Sequence, residues 1–117
     1  MSNFEKVGAA KGPRTELHNT LHLTGAEISI NNLPAGGNVP FVHHHKKNEE
    51  IYYITAGSGH AMVDGTKVEL ATGDWLKINP AGKRQFFAGA QGMSYVCIQV
   101  KAGSLEGFTM DDGVVDK

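Results

Sequence analysis

The sequence predicts an all-β protein, either a jelly roll or a closed barrel, and three observations support this. Fifteen glycines in 117 residues are about twice the usual proportion, with no collagen-like period to explain them. Short runs that alternate apolar and polar residues are separated by Gly, Pro, Asn and Asp turn signals. No run of ten or more residues shows helical periodicity with caps. About eight to ten short strands joined by tight turns are the expected architecture.

Length, charge and cysteine content limit the classes of protein. We expect one domain over residues 1–117, with a barrel core at about 26–101, an N-terminal arm at 1–25 and a C-terminal tail at 102–117. The net charge is -1 and the basic residues are scattered, so no nucleic-acid partner is expected. No apolar run approaches the ~18 residues of a membrane helix, so no membrane partner is expected either. Cys97 is the only cysteine, and nothing indicates an oxidising compartment, so we expect a cytoplasmic location.

The strands begin after an irregular arm. Residues 1–16 have no clear period and allow at most a short strand. Residues 17–23 fit a short strand whose register stays open. Residues 26–33 alternate two isoleucines with polar residues, which predicts a strand that buries Ile28 and Ile30.

The remaining strands are punctuated by turn residues. Asp64-Gly65 is a strong signal for a two-residue hairpin, and turns are also expected at 34–37 and 80–82. The expected strands, in chain order, cover residues 39–45, 50–56, 60–63, 67–70, 75–78, 84–88 and 93–101.

Candidate metal ligands concentrate in residues 37–57. In a strand, side chains at i and i+2 share a face, so His43 and His45 converge on one point. Either Glu49 or Glu50 can reach that point from the next antiparallel strand. Two imidazoles and one carboxylate form the kind of set that holds a divalent transition metal with open coordination positions.

This stretch resembles the first motif of the cupin superfamily. That motif is a glycine, five residues, His-x-His, three or four residues, a glutamate, six residues and a glycine. Every spacing is met by Gly37, His43, His45, Glu50 and Gly57.

The second cupin motif is met only in part. Gly73, Pro80 and Gly82 follow it with one extra residue before the proline, whereas Gln85 stands where the family has histidine and Gly89 where it has asparagine. The resemblance implies a small double-stranded β-helix, that is, a cupin jelly-roll barrel with a metal site inside its mouth. It also implies a homodimer built through the terminal strands. It does not imply one activity, because this fold hosts many.

The resemblance makes His43, His45 and Glu50 metal ligands. Glu50 is preferred to Glu49 because the glycine spacing fits it and because alternation places it beside inward-facing Tyr52. His44 is expected to face outward.

Gln85 leaves three outcomes open: a His-His-Glu-Gln site, a three-ligand site in which Gln85 binds substrate or water, and a site without metal. We favour the first, although an amide oxygen is a weaker donor than imidazole. The ion could be Zn, Fe, Mn or Ni, since this ligand set does not distinguish them.

The favoured function is a metal-dependent enzyme that acts on a small polar metabolite by isomerase, lyase or dioxygenase chemistry. Tyr52 is the candidate catalytic residue, because its hydroxyl could move a proton near the metal. The alternatives are a non-catalytic module that binds or senses a small ligand and a structural barrel whose site has decayed. By parity, the residues expected to line the cavity are Phe41, Tyr52, Ile54, Phe87 and either Gln99 or Cys97, although plain core packing is the favoured role for Phe41 and Phe87. His18, His22, His60, Lys77 and Arg84 are each more typical of the surface.

Overall fold

The structure, a computed structural model that describes residues 2–116, is a six-stranded antiparallel sheet. Within that range it contains no helix, and hence none long and apolar enough to cross a membrane. The all-β prediction is therefore confirmed. The strands are β1 Arg14–Glu16, β2 Glu27–Leu33, β3 Asn48–Val63, β4 Thr66–Ala71, β5 Trp75–Ile78 and β6 Arg84–Lys101.

Two long strands, β3 and β6, organise the sheet, whose order is β1-β2-β6-β3-β4 with β5 also paired to β3. The first half of β3 pairs with the second half of β6, as in Glu50↔Gln99, and its second half pairs with the start of β6, as in Met62↔Gln85. The register shifts near Gly57. Such bulges bend a strand and increase its twist, so the sheet curves around its core.

Each of the two long strands covers two of the shorter strands expected from the sequence. Strand β3 covers residues 50–56 and 60–63, and β6 covers residues 84–88 and 93–101. Residues 57–59, which lie between two of the expected strands, continue β3 through the bulge. Gly57 has a φ of +72°, and a Cβ there would lie 2.1 Å from the carbonyl oxygen of Gly92. The glycine is therefore required by the close crossing of β3 and β6 as well as by its own backbone conformation.

The core lies directly beneath the candidate site. Its buried members are Tyr52, Ile54, Ala61, Leu70, Ile78, Phe86, Met93, Tyr95 and Cys97. Four of them, Tyr52, Phe86, Tyr95 and Cys97, also line the main cavity. Close packing on one side of these residues therefore restrains the side chains that line the cavity.

Strand β2 is present where expected, but the face predicted for it is wrong. Ser29 and Asn31 are buried, at 3% and 5% exposure, while Ile28 and Ile30 are half-buried on the opposite face. The polar pair is tolerated inside because Asn31 hydrogen-bonds to Ser29 and to Arg14. Alternation alone could not distinguish an apolar outer face from an apolar core.

Residues 39–45 do not form the continuous strand that was expected. They are held to the start of β6 by two isolated bridges, Asn38↔Phe87 and His43↔Arg84. Pro40 interrupts regular pairing because it has no N–H to donate. The His43 bridge is nonetheless complete, with N–H···O distances of 3.0 and 2.9 Å to and from Arg84.

The N-terminal segment adds a strand to the sheet, whereas residues 102–116 do not. Strand β1 lies in the N-terminal arm and pairs with β2 of the same chain, Arg14 opposite Asn31. Residues 17–23 form turns rather than a strand, and residues 102–116 contain turns and no strand.

Candidate metal centre

His43, His45 and Glu50 meet at the floor of the cavity. The bridge to β6 places His43, a backbone hydrogen bond to Pro80 places His45, and β3 carries Glu50. One ligand atom from each of the three residues lies within 4.8 Å of the others. The convergence that strand alternation predicted for these side chains is therefore present.

The distances between these atoms suit a shared ion. His45 Nε2 lies 3.2 Å from Glu50 Oε2, and His43 Nε2 lies 3.8 Å from Glu50 Oε1. Two ligands with metal bonds of about 2.1 Å would be about 3.0–3.4 Å apart, so a small adjustment would complete the set. His45 Nε2 is buried and has no hydrogen-bond partner, and a bound cation would satisfy this nitrogen. The donor set thus fits a divalent transition metal.

Glu50 is 4% exposed and accepts hydrogen bonds from three side chains. Oε1 accepts from the Tyr52 hydroxyl at 2.5 Å and from Arg84 Nη1 at 2.9 Å, and Oε2 accepts from Cys97 Sγ at 3.3 Å. Burial by itself would raise the pKa of Glu50, but the bonds from Tyr52 and Cys97, with the charges of His45 and Arg84, lower it overall. The carboxylate is therefore ionised near neutral pH.

Arg84 is the site residue that sequence reasoning missed, because it was expected at the surface. Its side chain is fully buried, and Nη2 donates to the carbonyl oxygen of Asn79 at 2.8 Å. The burial pattern of β6, in which Arg84 and Phe86 are buried and Gln85 is not, sets this orientation. The complementary charge of Glu50 is what makes a buried arginine tolerable.

The side chain of Gln85 does not lie with the three candidate ligands, His43, His45 and Glu50. It is half-buried, does not line the cavity, and donates from Nε2 to the carbonyl oxygen of Val39 at 2.7 Å. Arg84 and Phe86 take the inward positions on either side of it. The structure therefore assembles three candidate ligands with a guanidinium beside them, and the expected His-His-Glu-Gln set is not assembled.

Tyr52 lines the cavity as expected, but its hydroxyl is committed to Glu50. Burial, then the neighbouring Cys97 and Glu50, raise the pKa of Tyr52 far above its usual value. The phenol thus remains protonated and orients Glu50, and its catalytic role stays a prediction.

Burial keeps two further groups of the floor, His43 and Cys97, in their neutral forms near pH 7. Burial, with smaller effects from Arg84, His45 and Arg14, lowers the pKa of His43 despite the opposing charge of Glu50. A neutral imidazole is the form that binds metal. Burial, then Glu50, raise the pKa of Cys97 to about 12, so this buried thiol stays protonated.

The cavity above the floor has a volume of about 410 Å³. Phe41, Tyr52, Cys97 and Gln99 line it as expected, whereas Ile54 lies in the core and Phe87 stacks on His60. The expectation for Phe87 was wrong because it belongs to the opposite face of β6 from Phe86. The full lining comprises Pro13, Arg14, Asn31, Leu33, Asn38, Val39, Pro40, Phe41, His43, His45, Glu50, Tyr52, Phe86, Tyr95, Cys97 and Gln99.

Comparisons with known proteins agree with this architecture. The family model for the cupin domain matches residues 30–98. A cupin protein from Bacteroides fragilis is 58% identical over 100% of both chains, with a TM-score of 0.96. No curated protein matches the sequence.

More distant solved structures share the fold. A predicted oxalate decarboxylase from Thermotoga maritima is 22% identical, with a TM-score of 0.67 over 75% of this chain and 78% of its own. A cupin-superfamily sugar phosphate isomerase from Silicibacter pomeroyi is 16% identical, with a TM-score of 0.66 over 77% of this chain and 60% of its own. The family match, the full-length similarity and the barrel with its His-His-Glu floor together show that this chain belongs to the cupin superfamily.

Proposed function

We propose that this protein binds one divalent transition metal ion through His43, His45 and Glu50 and acts on a small polar metabolite in the cavity above it. The observation that carries the proposal is the convergence of three donor atoms at a buried floor, one of them a histidine nitrogen without a partner. A bound ion would act as a Lewis acid that polarises a substrate oxygen.

The surrounding residues prepare the floor for that role. Arg84 and Tyr52 both bond to Glu50 Oε1, which leaves Oε2 facing His45 and Cys97. This arrangement presents one oxygen of an ionised carboxylate to the ion. The aromatic wall formed by Phe86 and Tyr95 limits water at the floor and strengthens electrostatic contacts there.

Isomerase or lyase chemistry and ring-opening dioxygenation are both compatible with this site. The choice depends on the native ion, because only a redox-active metal supports oxygen chemistry. In either case Tyr52 is the proposed catalytic residue, and its protonated hydroxyl, held by the short bond to Glu50, would act as a proton donor and not as a base.

A non-catalytic module that binds a small ligand is the second candidate function. The observation that favours it is the fully buried Arg84 guanidinium, which already neutralises Glu50 at 2.9 Å. A barrel stabilised in this way does not need a metal to compensate the buried carboxylate, and its cavity could hold a ligand unchanged.

Metal analysis of tag-free protein tests the leading proposal. We expect about one ion per chain in the wild type and in His44→Ala, since His44 is exposed and outside the cavity. His45→Ala should lose the ion. If the wild type holds little metal, and His45→Ala changes neither metal content nor stability, the metal-dependent function is wrong.

A thermal-shift screen of polar metabolites distinguishes catalysis from binding. A stabilising compound that is recovered unchanged after long incubation with metal-loaded protein supports the binding module. A compound that is converted by the wild type and not by His45→Ala supports the enzyme.

We also propose a homodimer. Its support is an apolar outer face on the sheet, where Ile28, Ile98 and Ile51 are aligned across three strands and exposed Trp75 stacks on Tyr53. Light scattering of the wild type and of Ile98→Lys tests it, because a charge at the centre of this face should yield a monomer. The cytoplasmic location stays a prediction from the sequence.

A further inference from the structure

Arg14 reaches the cavity from the N-terminal arm. Strand β1 pairs with β2 so that Arg14 lies opposite Asn31, and Arg14 lines the same cavity as the metal centre. Its side chain is 53% exposed, which places it at the mouth, within reach of a molecule arriving from solvent. The arm therefore contributes a cation to the site of its own barrel.

The buried polar face of β2 orients this guanidinium. Arg14 Nη1 donates to Asn31 Oδ1 at 2.9 Å, and Asn31 Nδ2 donates to Ser29 Oγ at 3.0 Å. Polar groups inside a barrel are costly unless they are bonded, and here the bonds form a chain that ends at the guanidinium. Arg14 also donates to Glu16 Oε2 at 3.3 Å. Because a guanidinium carries five N–H donors, others remain for a ligand.

The charge of Arg14 is not balanced inside the cavity. Glu50 is the one acidic residue among the described residues of the lining, and it is already paired with buried Arg84. Glu16 bonds from the exposed rim, where solvent weakens its effect. A metal ion at the floor would add further positive charge. The cavity therefore favours an anion.

The walls between Arg14 and the floor are largely apolar, with Leu33, Val39, Phe86 and Tyr95 among them. We propose that Arg14 is a specificity residue that binds the carboxylate of a small organic anion whose apolar body fills the cavity. The fork of a guanidinium matches the two oxygens of a carboxylate. This proposal rests on the proposed function for the position of the reacting group. It narrows the small polar metabolite to an organic acid, in which the carboxylate is the polar group that Arg14 binds.

Calorimetric titration of the zinc-loaded full chain tests this assignment. The probes are benzoate, phenylacetate and 3-phenylpropanoate, each compared with its neutral primary amide. The proteins are wild type, Arg14→Met, Arg14→Lys and, as a matched control on the same strand, Glu16→Gln. Circular dichroism and thermal unfolding establish that each variant is folded.

At least one carboxylate should bind the wild type more tightly than its amide. Arg14→Met should weaken that carboxylate roughly tenfold to a hundredfold and leave the amide unchanged, because only a charge-assisted bond is removed. Arg14→Lys should lie between, since it keeps the charge without the fork, and it serves as the folded variant if Arg14→Met does not fold. Glu16→Gln should bind the carboxylate at least as well as the wild type.

Equal affinities for acid and amide, or equal carboxylate affinity in the wild type and the Arg14 variants, would overturn the assignment. So would the absence of binding by all three carboxylates at millimolar concentration. Repeating the titration with metal-free His45→Ala separates the two proposals. Arg14-dependent binding that persists there supports the anion site even if the metal-dependent function fails. Binding that requires His45 and is indifferent to Arg14 places the carboxylate on the metal and refutes the role of Arg14.

Discussion

Arg84 donates a 2.9 Å hydrogen bond from Nη1 to Glu50 Oε1, and both residues are buried in the barrel. This pair joins the start of β6 to β3 directly beneath the cavity. Together with the larger effects of the Tyr52 bond and of His45, it lowers the pKa of Glu50 despite burial, and the second oxygen of Glu50 lies toward His45. The structure and the candidate chemistry of this site therefore depend on the same ion pair.

Replacing Arg84 should show how strongly the stability of the protein depends on this ion pair. Arg84→Met leaves a buried carboxylate without its cation, so we expect the metal-free protein to lose roughly 3 kcal/mol or more of unfolding free energy. Lys83→Met, at the exposed neighbouring position, should change stability little. Urea denaturation in the presence of a chelator measures both. Adding Glu50→Gln to Arg84→Met should recover part of the loss. If Arg84→Met and Lys83→Met were equally stable, the buried Arg84–Glu50 ion pair would be contradicted.

Tyr52 can be tested with a change of one atom. Tyr52→Phe removes the hydroxyl that bonds to Glu50 but keeps the ring that packs against Phe86, so we expect a loss of roughly 1.5–3 kcal/mol. Tyr53→Phe is the matched control, because Tyr53 faces outward against Trp75. Denaturant unfolding gives the stabilities. Once a substrate is known, a fall in kcat for Tyr52→Phe without an equal rise in KM would support the proton-handling role.

Gln85 should be dispensable for metal binding. Gln85→Ala removes only its bond to the carbonyl oxygen of Val39, so we expect unchanged metal content and a loss of about 1 kcal/mol of stability. Competition with a chromogenic zinc chelator measures the affinity, with His45→Ala as the positive control. A clear fall in zinc affinity for Gln85→Ala would mean that the amide turns inward when metal binds.

Acid should destabilise the metal-free protein in two steps. The pKa of His43 is lowered from an ordinary 6.5, so the unfolded chain takes up its proton first and stability falls as the pH drops below about 6.5. The pKa of Glu50 is lowered from 4.5, so its contribution is present above that value and is lost as the pH falls through the lower folded-state pKa. Unfolding free energies measured from pH 7.5 to pH 4 with chelator present should show the first decline, and it should be smaller in His43→Gln. A flat profile in the wild type would refute these shifts.

The motif glycine at position 57 should be the least replaceable of the glycines with positive φ. Gly57→Ala sets a Cβ against the Gly92 carbonyl as well as straining the backbone, so we expect a loss of several kcal/mol or insoluble protein. Gly65 also has a positive φ, of +82°, but a Cβ there would meet no atom within 4 Å. Gly65→Ala should therefore lower the unfolding free energy by only about 1–2 kcal/mol. Soluble yield and urea midpoints measure the difference, and similar losses at both positions would argue against the tight β3–β6 crossing.

Much of the architecture could be predicted from local patterns. Glycine-punctuated alternation indicated an all-β chain, and β5 was placed at the residues it occupies. The spacing of His43, His45 and Glu50 predicted that the three candidate ligands converge, and they do, although residues 39–45 form isolated bridges and not a continuous strand. These features depend on residues close in sequence.

The failures at the site and in β2 share a physical cause, since each depended on which face of a strand meets the interior. Asn31 is inside because Arg14, on another strand, donates to its side-chain oxygen, and Asn31 in turn donates to Ser29. Arg84 rather than Gln85 turns inward because Glu50, thirty-four positions away, compensates a buried charge. Alternation shows that successive side chains point to opposite faces of a strand, but it does not show which face is buried. No local signal identifies a partner that lies far away in the sequence.

The sequence by itself determined the all-β class and, through its resemblance to the first cupin motif, the family and the three candidate ligands His43, His45 and Glu50. Only the tertiary structure decided what stands beside those ligands. Pairing of β6 with residues 38–45 and with β3 places the Arg84 guanidinium at Glu50, and pairing of β1 with β2 places Arg14 at the mouth. Those placements arise from long-range pairing and charge compensation, which become defined only when the strands are assembled.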